Sequence, residues 1–262
     1  MTGKPAAFSR GRAAAVSVAT LCAALATPYV ASAGPMESLR QGLFGHHPSD
    51  LRQFPAPPVA RYISEDGDVF TLDRTQPKPL LKFENTGEVW VLQAQPAPRG
   101  DTIYKNELGE PVLRATRLGG LTLFSEHRPS GEAAALAGPG APIHLTVLGP
   151  QALIEKLAQA SFHVSHALHH TVAFDAEASP ASSALIADAA MVTTLAMVRS
   201  ADKPDAQGFL GKLRRVFLIE GRKSSAQFDQ GTLKITVVPD EGIAGRPSSE
   251  RIVQVTQSFR NN

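Results

Sequence analysis

Residues 61–72 read Arg61-Tyr62-Ile63-Ser64-Glu65-Asp66-Gly67-Asp68-Val69-Phe70-Thr71-Leu72, two β-type runs around a tetrad whose Asp-Gly pair suits a tight hairpin with positive φ. The pattern continues downstream. Runs of the same kind occupy Leu80 to Phe83, Val89 to Ala94, Thr102 to Lys105, Val112 to Thr116 and Leu121 to Phe124, separated by Thr86-Gly87, Pro96 to Gly100, Leu108-Gly109 and Gly119-Gly120. Six or seven short strands at this spacing predict an antiparallel β-rich lobe over residues 59–125, a small sandwich or partly closed barrel. Trp90, the single tryptophan, is expected to face its core.

Beyond this lobe the text changes twice. Residues 126–142 are rich in Gly, Ala and Pro and read as a linker. Gly138-Pro139-Gly140 within it is no phosphate-cradling loop, because proline removes a backbone donor. Residues 143–262 then mix elements: a strand at Ile143 to Leu148, a helix from Pro150 to His170, and a strand at Thr171 to Phe174. A second helix follows from Pro180 to Arg199, then two or three strands through Val216 to Ile219 and Leu233 to Val238, and a last helix at about Ser249 to Phe259. Proline is expected in the first turn of both long helices. Segregated strands followed by mixed elements predict an α+β protein, with a mixed α/β C-terminal lobe.

Upstream, residues 34–58 hold a short amphipathic stretch, Met36 to Phe44, then His46-His47 and a Pro-rich arm ending in Pro57-Pro58. Residues 1–33 read as a Sec signal peptide. Lys4, Arg10 and Arg12 form its basic region, Ala13 to Ala26 its apolar run, and Ala31-Ser32-Ala33 a small-x-small cleavage site. The arginines are not paired, and Cys22 follows Leu21 rather than a small residue, so a soluble rather than lipid-anchored mature chain is expected.

Cleavage changes the charge balance. The 26 basic residues lose the signal's three and become 23 against 24 acidic ones, a formal charge of −1 that lacks the basic footprint of a nucleic-acid binder. The lone cysteine leaves with the signal, which excludes disulfides, thiolate metal sites and a cysteine nucleophile from the mature protein. Pro180 to Arg199 is nearly free of charge, but Asp188 at mid-span and its Ala, Ser and Thr content argue for a core helix, so no transmembrane span is expected after cleavage.

Three strings, LLKFENTGEVWVL (Leu80 to Leu92), PRGDTIYKNELGEPVLRATRLGGLTLF (Pro98 to Phe124) and GIAGRPSSERI (Gly242 to Ile252), resemble an uncharacterised domain-of-unknown-function family of exported bacterial proteins. The resemblance covers most of the mature chain and implies no catalytic assignment.

Local chemistry offers three candidates. On the first helix His163, His166 and His170 share one face, and the His166/His170 spacing of i, i+4 lets two imidazoles reach one Zn or other divalent ion. Leu153, Ile154, Leu157, Val164 and Leu168 take the opposite, apolar face, which leaves the histidines toward solvent with Gln151, Glu155 and Gln159. No H-E-x-x-H pattern supplies a general base. Asp188 falls among Ala184, Met191, Val192 and Leu195, so it reads as a buried acid or as the partner of an arginine such as Arg214 or Arg215. Arg246, Ser248 and Arg251 surround the start of the last helix, where free N–H groups and two guanidiniums can hold a small anionic ligand or simply cap the helix.

No G-x-S-x-G elbow is present, and Ser200-Ala201-Asp202-Lys203 matches S-x-x-K by letter only. The sequence therefore predicts a periplasmic or secreted, non-enzymatic cell-envelope binding or interaction protein. The alternative is a periplasmic metal-binding protein or metal-dependent hydrolase built on residues 163–170.

Overall fold

The hairpin at Gly67 sets the architecture of the N-terminal lobe in the computed structural model, which describes residues 56–125 and 127–258. Gly67 takes φ 90° and donates its N–H to Ser64 O at 3.0 Å, while Ser64 Oγ accepts from Asp68 N at 3.1 Å. The turn thus joins β1 (Val59–Ser64) to β2 (Val69–Asp73) in antiparallel register, Tyr62 opposite Phe70. Seven more strands complete the sheet: β3 (Leu80–Phe83), β4 (Val89–Val91), β5 (Gln93–Pro96), β6 (Thr102–Lys105), β7 (Pro111–Ala115), β8 (Leu121–Leu123) and β9 (Glu132–Pro139).

Their order is β4-β3-β2-β1-β9-β8-β7-β6-β5, all antiparallel. The two edge strands, β4 and β5, are separated in sequence by Leu92 alone. One residue cannot span a flat nine-stranded sheet, whose neighbours lie about 4.8 Å apart. The sheet therefore curls until its edges nearly meet, giving a nearly closed barrel and not a sandwich. Leu92 is fully buried at that junction, in a core with Phe70, Leu72, Leu81, Leu113 and Leu123. Trp90 packs against this core through Phe83, as expected of it.

The 126–142 linker is corrected. Residues 132–139 form β9, which pairs with β1 on one side and β8 on the other and joins the two halves of the barrel. Its sequence, Glu-Ala-Ala-Ala-Leu-Ala-Gly-Pro, is poor in β-formers, and most of its side chains stay exposed. Pairing on both edges supplies what propensity does not. The run read as one strand over Val89 to Ala94 is likewise two strands, broken where the chain crosses from one edge of the sheet to the other.

The C-terminal region is α/β. Its elements are α1 (Pro150–Leu168), β10 (Ala173–Ala176), α2 (Ser183–Ala201), a one-turn α3 (Gln207–Leu210), β11 (Arg215–Glu220), β12 (Ser225–Asp229), β13 (Thr232–Val237) and α4 (Ser249–Ser258). The sheet order β10-β11-β13-β12 is parallel except for the β12–β13 hairpin. Pro150 opens α1 as expected, but α2 begins three residues after Pro180. There Ser183 N bonds Ser179 O and Ile186 N bonds Ser182 O. Helix α2 is long and apolar enough to cross a membrane, yet Ile186, Val192, Ala196 and Met197 have no exposed surface and pack into the second core with Val164, Leu218, Ile235 and Ile252.

Residues 143–148, predicted as a strand, join no sheet. Ile143 and Leu145 are half-buried and His144 and Thr146 exposed, but the alternation stops at the exposed Val147, and no ladder partner is present. Ile143 N instead donates to Asp73 Oδ2 at 2.8 Å, and Leu80, Val89 and Ile243 form a third small core against Ile143 and Leu145. This core and the polar clasp described next join the barrel to the α/β lobe.

Candidate functional site

Helix α4 begins where Val238 to Arg246 folds back tightly. Val238 N donates to Gly245 O at 2.7 Å, and a Cβ at residue 245 would lie 1.9 Å from Val238 O, so only glycine fits. The next residue, Arg246, is thereby turned into the interior with 1% of its side chain exposed. Its Nε donates to Asp188 Oδ2 of α2, its Nη2 to Val89 O at 2.9 Å, and its Nη1 lies 3.9 Å from Glu88 Oε1.

Carboxylates from the barrel fill the helix N-terminus. Glu88, immediately before β4, accepts from Ser249 N at 2.9 Å and from Ser249 Oγ. Glu107, in the β6–β7 turn, accepts from Ser248 N at 2.7 Å and from Arg251 Nε at 3.2 Å. Ser248 Oγ accepts from Arg251 N at 3.1 Å, as a helix cap does. The small anionic ligand expected at Arg246, Ser248 and Arg251 thus has its donors taken by the chain's own acids. A helix start beside two arginines is legible in sequence; that Glu88 and Glu107 fold onto it from some 140 to 160 residues away is not.

Glu250 sits beside this clasp and escaped the sequence reading. Asn106 Nδ2 donates both to Glu250 Oε2 at 2.7 Å and to Glu110 Oε2 at 2.9 Å, so one amide bridges two acids. Burial, reinforced by Glu110 and Glu88, pushes the Glu250 carboxyl up to about 7 against the opposing pull of Arg199 and the Asn106 bond.

The histidine set does not assemble as a metal site. Helix α1 ends at Leu168 with His169 left-handed at φ 57°, so His166 and His170 lose their i, i+4 relation. Both ring nitrogens of His170 face backbone carbonyls, Leu168 O at 3.0 Å and Leu213 O at 2.8 Å. His166 stacks on the exposed Phe162, and among the described residues no group of three or more His, Cys, Asp or Glu is placed to hold a metal. Ile154, expected on the apolar face, is 60% exposed. His46 and His47 lie outside the described residues, as do the signal segment, the amphipathic stretch and the first part of the arm.

Asp188 is placed as a mostly buried acid, and its guanidinium partner is Arg246. Arg214 and Arg215 are engaged elsewhere, Arg214 with the carbonyls of Gly211 and Leu213 and Arg215 with Asp175 at 2.7 Å. Only 9% of the Asp188 side chain is exposed, and that surface opens into a groove of ≈ 400 Å³ between α1 and α2. Ala184, Met191 and Leu195 of the same α2 stripe line the groove with Ala160 and Leu148, while Lys156, Gln159 and His163 line it from α1. These three recur at i, i+3 and i+7, a spacing that one turn of the helical wheel would have shown. A larger groove of ≈ 640 Å³ runs along residues 76–80 and 239–244, but its Lys78 and Glu241 pair with each other at 2.9 Å.

No curated protein and no solved structure matches the chain. The family model described as Domain of unknown function (DUF4908) matches residues 38–256, nearly the whole of what is described above, and the chain belongs to that family.

Proposed function

We propose that this chain is an exported, non-enzymatic binding protein of the cell envelope that takes a small ligand in the groove between α1 and α2. The observation that carries the reading is the groove itself: apolar walls, a volume of ≈ 400 Å³, and a few convergent polar groups, the make-up of a small-molecule site. The arginines of the neighbouring clasp are held by its acids and Glu88 and Glu107 by the start of α4, which suits a structural role better than a catalytic one. Export is supported by the basic, apolar and small-residue segments of residues 1–33.

The test uses the tag-free mature chain, Gly34 to Asn262, in a thermal-shift screen of small metabolites beside a Met191→Trp variant whose indole fills the groove. Stabilisation of the wild type that disappears in the folded variant supports the reading. Stabilisation that persists in the variant, or intrinsic turnover of a compound, overturns it. N-terminal sequencing of the chain from a periplasmic fraction should begin at Gly34; an uncleaved cytoplasmic chain would remove the envelope assignment.

A further inference from the structure

We infer that the groove between α1 and α2 binds a zwitterionic α-amino acid with an apolar side chain, an inference that rests on the groove reading above. The argument starts from unequal charge. Arg246 is flanked by two carboxylates, Asp188 and Glu88. Both Glu88 oxygens accept from Ser249, and Asp188 Oδ2 accepts from Arg246. The other Asp188 oxygen has no hydrogen-bond partner among the described residues, and Asp188 lines the groove. One guanidinium against two acids leaves an excess negative charge, and of the two acids it is Asp188 that lines the groove. A primary ammonium group is the donor that matches it.

Across the groove the chemistry is opposite in sign. Lys156 and Gln159 of α1 line it, and their side chains have no ion-pair or hydrogen-bond partner among the described residues. They suit a carboxylate. The groove is lined as well by Leu148, Met191 and Leu195, which suit an aliphatic side chain. A simple anion meets Asp188 and is repelled; a simple cation meets Lys156 and is repelled. A molecule that carries both charges and an apolar body satisfies all three surfaces, and ≈ 400 Å³ lies toward the small end of ligand cavities, about 300–1,000 Å³.

Isothermal titration of the mature chain with three probes decides it: L-leucine, 4-methylpentanoate, which lacks the ammonium, and isoamylamine, which lacks the carboxylate. L-leucine should bind at least about tenfold more tightly than either analogue, the scale of one lost charge-assisted contact. Lys156→Ala alters an exposed side chain and should weaken leucine about tenfold while leaving or improving isoamylamine. Equal binding of leucine and 4-methylpentanoate, an unaltered leucine affinity in Lys156→Ala, or no binding by leucine overturns the inference. If leucine fails while another compound is lost in Met191→Trp, the groove stands and the ligand class falls. If leucine binds Met191→Trp as well as the wild type, the groove reading itself falls.

Discussion

Arg246 sits in the interior among Asp188, Glu88 and Val89 O, and its loss leaves two acids without their cation. Removing one member of a buried ion pair costs about 3–5 kcal/mol, so Arg246→Ala should lower the urea-unfolding free energy by that amount. Glu250 acts through pH. Its folded pKa of about 7 lies above the ordinary 4.5, so the folded state binds the proton more tightly than the unfolded one. The stability it contributes is fully present below about 4.5 and is lost as pH rises through about 7. The shift corresponds to at most about 3–4 kcal/mol, and partial exposure of the carboxyl reduces this to about 1–2 kcal/mol. Glu250→Gln keeps an acceptor for Asn106 and should flatten that slope, which urea midpoints at about pH 5 and about pH 8 will read. Asp73 pulls the other way. Its burial would raise it, but bonds from Thr75 Oγ1, Ile143 N and Thr75 N outweigh burial and hold it below its ordinary value of 3.8, so its contribution is lost only in stronger acid. The sequence marked Asp188 and Arg246 as separate candidates; their contact across 58 residues is a product of packing.

At the scale of elements, periodicity placed most strands and all three long helices, and the errors fall where tertiary pairing overrode local signal. Strand β9 has an alanine-rich sequence and becomes a strand because β1 and β8 each offer it an open edge. Residues 143–146 alternate as a strand does but find no edge; Ile143 and Leu145 pack on the third core instead, and Leu148 on the core of the α/β lobe. The end of α1 is a subtler case. Its apolar pattern allowed a continuation to His170, but the chain turns at His169, which adopts a backbone conformation that disfavours a Cβ. His169→Gly should therefore stabilise the fold by about 0.5–1 kcal/mol, read as a raised urea midpoint with unchanged helical circular dichroism. The metal triad failed for the same reason: a helix two residues shorter than its pattern separates the pair on which it depended.

For the whole molecule, the barrel and the α/β lobe share a clasp that places Glu88, Asn106 and Glu107 against α4, and a small apolar core around Leu80 and Ile243. Such coupling predicts a single unfolding transition. Trp90 reports on the barrel and the helices on the other lobe, so tryptophan fluorescence and helical circular dichroism should give coincident urea curves in the wild type. In Arg246→Ala the two curves should separate; coincidence there would show that the third core alone holds the lobes together. By itself the sequence determined the fold class, the barrel hairpins, the buried nature of α2 and the candidate residues, because these follow from local turn chemistry and from the period of apolar side chains. Only the tertiary structure decided that the sheet closes through Leu92 and β9, that the helix N-terminus is filled from within, and that Asp188 lines a groove. Those outcomes depend on which distant segments meet, and a local pattern carries no record of that.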